Sequence, residues 1–186
     1  PISEQLPMTV DDNTLLKMLA SPETKRKAFG LIVSQYSEML YWKIRHFVLY
    51  HDDADDVMQN VLMKAWMNID RFKGDSKIST WLYSIAVNES LDFLRRKKNV
   101  ADADADLYAA RHLMADEYFD GDATEALLQE AIAQLPDMQR TVFLLRYYDE
   151  MKYSEMSKML ERTEGALKAN YHIAAQKVLD YIKHRD

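Results

Sequence analysis

The side chains that could carry chemistry in this chain point away from catalysis and toward charge. The five histidines, His46, His51, His112, His172 and His184, have neither metal-ligand nor catalytic-triad spacing. There is no cysteine, which excludes disulfides and thiolate metal sites. Asp102, Asp104 and Asp106 imitate a calcium loop, but Leu107 stands where the turn glycine belongs and Leu113 where the closing glutamate belongs. An enzyme is therefore not expected, nor is a metal or a cofactor. What remains is a cluster of cations. Arg71, Lys73, Lys77, Arg95, Arg96, Lys97 and Lys98 are opposed only by Asp75, Glu89 and Asp92, so positions 71–98 carry a net charge of +4 in a chain whose net is −6. Trp81, Tyr83 and Phe93 lie among them. Cations that hold phosphates, interleaved with aromatics on which bases stack, suit nucleic acid and single strands in particular.

The elements that must position this island are helices. The 186 residues suffice for one or two domains, and only four glycines and four prolines leave little material for tight turns. The hydrophobic content of 48% with 29% charged residues is ordinary for a globular protein. No apolar run approaches the ~18 residues of a membrane span. The N-terminal stretch lacks the basic and apolar regions of a signal peptide, so a cytoplasmic protein without membrane insertion is expected. Apart from the island, charge is uneven. Positions 1–70 carry −3, positions 99–122 carry −6 with Arg111 as their one base, and positions 123–186 carry −1.

Asp11 and Asp12 precede Leu15, Leu16 and Leu19 at helical spacing and suit an N-cap. Ser21-Pro22 starts a second helix, whose apolar positions run from Ala28 to Val48. Asp52, Asp53, Asp55 and Asp56 open a third, where the helix dipole favours carboxylates; Ala54, Val57, Val61, Leu62 and Ala65 form its buried stripe. These acids are either solvated or a surface for arginines. A polar loop, 72–79, leads to a helix over 80–98. There Trp81 fits the core as well as it fits a base stack, and Asn88 is exposed or used. Positions 99–122 read as an acidic tether. Further helices follow at 123–134 and 138–149. Then Tyr153–Leu160 and Glu164–Tyr181, joined by Glu161-Arg162-Thr163, fit a helix-turn-helix or a helical hairpin with no DNA role.

Several multi-residue motifs, in order, resemble the sigma factors of bacterial RNA polymerase, in the two-domain extracytoplasmic-function (ECF) form. The acidic-helix motif is matched at Asp53-Ala54-Asp55-Asp56-Val57-Met58-Gln59 and ends at Trp66. The loop motif is matched at Phe72-Lys73-Gly74-Asp75-Ser76, and the helix motif at Thr80-Trp81-Leu82-Tyr83 through Asn88, followed by Arg95-Arg96. Leu135-Pro136, Arg140 and Arg146 match the C-terminal region, as does Gly165-Ala166-Leu167-Lys168. Asn60 replaces a usual carboxylate, Glu161 a frequent turn glycine, and Asn170 and Ile173 stand where arginines are common.

The resemblance implies an all-α fold of two small helical domains, 1–98 and 123–186, joined by an acidic flexible linker, 99–122, with a helix-turn-helix in the second. It implies core RNA polymerase as partner through Asp53, Asp55, Asp56, Gln59, Asn60, Met63 and Lys64. The −10 non-template strand would be held and its flipped base captured by Lys73, Gly74, Asp75, Ser76, Lys77, Trp81, Asn88, Arg95 and Arg96. Thr163, Glu164, Gly165, Lys168, Ala169, Tyr171 and His172 would read the −35 duplex. It further implies an anti-sigma factor as partner. A free-standing helix-turn-helix regulator and a sigma-like adaptor unable to open promoters are the alternatives. The cationic island disfavours the first, because such a regulator needs no single-strand pocket.

Overall fold

The computed structural model describes residues 9–98, 110–115 and 121–185. Among them are eight helices and no strand: α1 (Asp12–Ala20), α2 (Pro22–Phe47), α3 (His51–Asn68), α4 (Ile78–Lys98), α5 (Ala123–Ala133), α6 (Asp137–Tyr147), α7 (Tyr153–Leu160) and α8 (Glu164–Lys183). The local reasons are those of the sequence. The Asp11 carboxylate accepts from the Thr14 amide at the start of α1, Pro22 occupies the first position of α2, and Asp122 accepts from the Glu125 amide at the start of α5. Helix α4 starts two residues earlier than the sequence suggests, at Ile78.

By backbone contact the chain forms two compact units. The first comprises Pro1–Ile44 and Ala54–Ser90, the second Arg45–Asp53 and Leu91–Asp186. The core of the first is built from Leu15, Ile32, Leu40, Ile44, Val61, Ile78 and Leu82, all essentially without exposure. Each such side chain contributes about 1.5–3 kcal/mol through its burial. Helix α1 matters here beyond its length. Leu15 anchors it in the core, and its outer residues reach the loop before α4.

In the second unit, Ile132, Val142, Leu144, Leu145, Met156 and Leu167 form the core. Arg140 is buried among them, and its guanidinium donates to the Phe47 carbonyl at 2.7 Å, which satisfies a helix-terminal carbonyl of α2. The tether expected at 99–122 lies mostly outside the described residues. Its middle is packed: Ala110 is buried with Leu49 against Ala133, and Leu113 is buried in a short 3-10 turn, Leu113–Ala115.

Candidate nucleic-acid interface

The loop between α3 and α4 is fixed by residues distant in sequence. Gly74 has φ +80°, and a Cβ there would lie 3.0 Å from Leu16 Cδ1 of α1. Both the left-handed backbone and the close approach require glycine. The Ile78 amide donates to Asp12 Oδ2 at 2.9 Å, across 66 positions. Asp12 thereby caps α4, whose own first turn holds no acid. The Tyr36 hydroxyl donates to the other Asp12 oxygen at 3.4 Å. Burial and then the Asp12 charge push the Tyr36 phenol up from its ordinary range. With its backbone pinned at both ends, the loop presents Lys73, Asp75, Ser76 and Lys77 to solvent.

The aromatics of α4 divide by depth. Tyr83 is buried with Lys43 Nζ 4.1 Å above its ring. Trp81 is half-buried and stacked on Phe72, with centroids 5.0 Å apart and planes at 29°. Asn88 is exposed, although Val87, Glu89 and Ser90 beside it are buried. Glu89 pairs with Lys64 of α3. Further along α4, Arg95 and Arg96 are exposed, and Arg95 meets Asp92 at 3.3 Å. Lys97 is engaged instead with Asp53 at 3.1 Å and lies 4.7 Å over the Tyr50 ring. On α3, Asp55, Asp56, Gln59 and Met63 face solvent, and Asn60 is half-buried.

In the second unit, α7 and α8 are joined by three residues. Glu161 adopts the left-handed conformation, φ 53° and ψ 45°, and the Ser157 hydroxyl donates to the Arg162 carbonyl at 2.6 Å. The Thr163 hydroxyl then accepts from the Ala166 amide at 3.2 Å and caps α8. Met156 of α7 and Leu167 of α8 are both buried. Thr163, Glu164, Gly165, Lys168, Ala169 and His172 are exposed along the start of α8. A capped helix start with exposed polar residues, backed by a short preceding helix, is the geometry that enters a major groove.

Two families match the chain in order: sigma-70 region 2 over residues 32–100 and sigma-70 region 4 over residues 125–178. The ECF RNA polymerase sigma factor SigW of Bacillus subtilis is 33% identical over 156 residues, covering 78% of this chain and 83% of that protein. The chain belongs to the ECF sigma factors.

Its function is accordingly that of a subunit directing RNA polymerase to promoters. The ECF sigma-E factor of Escherichia coli K12 is 27% identical and aligns over 95% of both chains. Among solved structures the fold is shared with CnrH in complex with the cytosolic domain of CnrY, with TM-score 0.66 and 22% identity over 95% of this chain and 99% of that one. It is also shared with the sigma factor RpoE bound to the anti-sigma factor NepR from Bartonella quintana, with TM-score 0.64 and 20% identity over 84% and 98%. The expected all-α fold with a C-terminal helix-turn-helix is the fold of this sigma factor.

Most of the residues singled out in the sequence are exposed, and several of the set are also committed within the fold. Gly74 meets a backbone and packing requirement of the loop. Trp81 is committed on one face to Phe72. Asp53 and Lys64 are engaged in ion pairs within the fold. Tyr171 is half-buried and stacked on Phe143 at 5.8 Å, and burial raises its phenol above the ordinary range. Ile173, which stands where an arginine is common, is exposed. Asp12, Leu16 and Glu89 were missed. Only one of two adjacent aspartates can cap α1, which left the other free for a distant role; nothing in the sequence says that α4 receives it.

A second cluster was also missed. Glu130 of α5 accepts from Arg111 at 3.2 Å and also bonds Tyr181 and Arg185. Burial opposes its charge, but the bonds from Tyr181 and Arg111 and the Arg185 charge outweigh it and hold the carboxyl below its ordinary range. The cluster ties the end of α8 and Arg111 to α5. Nearby, Tyr148 donates to Glu125 at 2.5 Å, and burial, then that bond, raises its phenol far above the ordinary range.

Proposed function

We propose that residues 1–98 act as a region 2 domain and residues 123–186 as a region 4 domain, with 99–122 as the connector between them. The outer face of α3, with Asp55, Asp56, Gln59 and Met63, binds core RNA polymerase. The loop Lys73–Lys77 and Asn88 capture a base flipped from the −10 non-template strand. Flipping costs a few kcal/mol, which polymerase binding and contacts at the loop offset. Arg95 and Arg96 hold phosphates at the upstream edge of the bubble, and the start of α8 reads the −35 duplex. The observation that carries this reading is the outward placement of these polar motif residues on α3, α4 and the start of α8 and on a pinned loop. The chain supplies promoter choice and strand opening, and bond-making belongs to the polymerase. It works in the cytoplasm; among the described residues no helix is long and apolar enough to cross a membrane. An anti-sigma factor is a further partner, as one is for the Bartonella relative.

Reconstitution tests the proposal. The full chain is added to core polymerase with promoters upstream of its own gene, and open complexes are scored. Specific opening is expected. Core binding without opening on any such promoter would support an adaptor, and duplex binding without polymerase a free-standing regulator. Asp56→Arg is expected to yield a folded protein that no longer binds core.

A further inference from the structure

Sulfur is present in this chain only as thioether: there are eleven methionines and no cysteine. Of the ten described methionines, Met151 at 8% and Met156 at 0% exposure are buried and five are half-buried. Three are open to solvent: Met63 at 58%, Met67 at 69% and Met114 at 60%. Met63 and Met67 stand four residues apart, one turn along α3, and continue the outer stripe that holds Asp56 and Gln59. Trp66 between them is turned partly inward, edge-on to Phe29 with ring centroids 5.0 Å apart and with Lys25 4.9 Å over its ring. The apolar end of the stripe is thus made largely of two flexible, solvent-facing thioethers. Methionine is well suited to a partner surface because it is polarisable and adaptable. It is also the side chain there that a mild oxidant alters.

We infer that Met63 and Met67 form an oxidation-sensitive modification site through which peroxide weakens the attachment of this sigma factor to core polymerase. This rests on the assignment of the outer α3 face to that partner. The thioether sulfur gives its electron pair to the terminal oxygen of a hydroperoxide, the O–O bond breaks, and the proton of that oxygen passes to the departing one. Sulfur is oxidised by two electrons to the sulfoxide, and the peroxide is reduced and leaves as water or an alcohol. The product is polar and chiral where the surface was apolar, which disrupts a methionine-based contact and is reversible by the sulfoxide reductases. Without a thiol in the chain, no disulfide or sulfenate can carry a response to peroxide, so thioether oxidation is the sulfur route open to it.

The full chain is treated with hydrogen peroxide, and its affinity for core polymerase is measured before and after, with sulfoxides mapped by mass spectrometry. Met63, Met67 and Met114 are expected to gain one oxygen each before Met151 and Met156 do. Affinity is expected to fall by roughly tenfold or more, as for an apolar contact at the centre of an interface, and to return after reductase treatment. Each variant is compared with itself. The ratio of treated to untreated affinity is expected to stay near one for the double variant Met63→Leu/Met67→Leu and to fall in Met114→Leu as in the unsubstituted chain. Equal affinity before and after peroxide, or an undiminished fall in the double variant, overturns the inference alone. Failure of the untreated chain to bind core polymerase overturns the underlying reading and the inference with it.

Discussion

Asn88→Ala should separate function from folding. Asn88 is exposed in the middle of α4 while its neighbours Val87 and Glu89 are buried, so truncating it opens no cavity. Alanine is the better helix former, and the exchange should stabilise the fold by about 0.5 kcal/mol. If the side-chain amide hydrogen-bonds a flipped −10 base, its loss removes a contact of about 1–3 kcal/mol, equivalent to roughly fivefold to 150-fold in open-complex formation. Stability and promoter opening should therefore move in opposite directions. Thermal unfolding gives the first, and permanganate reactivity of thymines in the −10 region, measured with the reconstituted holoenzyme, gives the second. Core binding, followed by co-elution, should be unchanged. Normal opening by Asn88→Ala would refute the role assigned to the amide, and a loss of folded stability would return Asn88 to the framework of the helix.

Trp81→Ala should behave differently from Asn88→Ala: because Trp81 stacks on Phe72, chemical denaturation should show a loss of about 1–3 kcal/mol together with impaired opening. Glu161→Gly should stabilise the protein by about 1 kcal/mol, since a non-glycine residue is held at φ 53°; the measurement is the denaturant midpoint, and −35 binding should persist. Glu130 titrates below its ordinary range in the fold, so its contribution to stability is complete above the ordinary carboxylate pKa and is lost as pH falls through the lowered one. The difference in melting temperature between the native chain and Glu130→Gln should accordingly narrow on acidification. Gly74→Ala should destabilise the loop through both its φ and its contact with Leu16, seen as weaker protection of the Ile78 amide in hydrogen exchange.

The helices and the polar motif residues were legible in the sequence because both are local. Capping aspartates, Pro22, the apolar spacing and the scarcity of glycine set the elements to within two residues at the start of α4. Several multi-residue motifs, taken in order, identified the family, and charge alone located the cationic island. Which cations remain open was a matter of tertiary structure. The sequence presents Arg95, Arg96 and Lys97 as one run, yet Lys97 is taken by Asp53 and Tyr50, because ion pairs form between helices whose register no local pattern encodes. The same holds for Lys64, drawn to Glu89, and for Tyr171, drawn to Phe143. The loop is the sharpest case. Its sequence shows a glycine among polar residues, but its shape is set by Asp12 and Leu16, more than fifty positions earlier. Only the packing of α1 in the first unit brings a spare carboxylate to the Ile78 amide and a methyl group against Gly74.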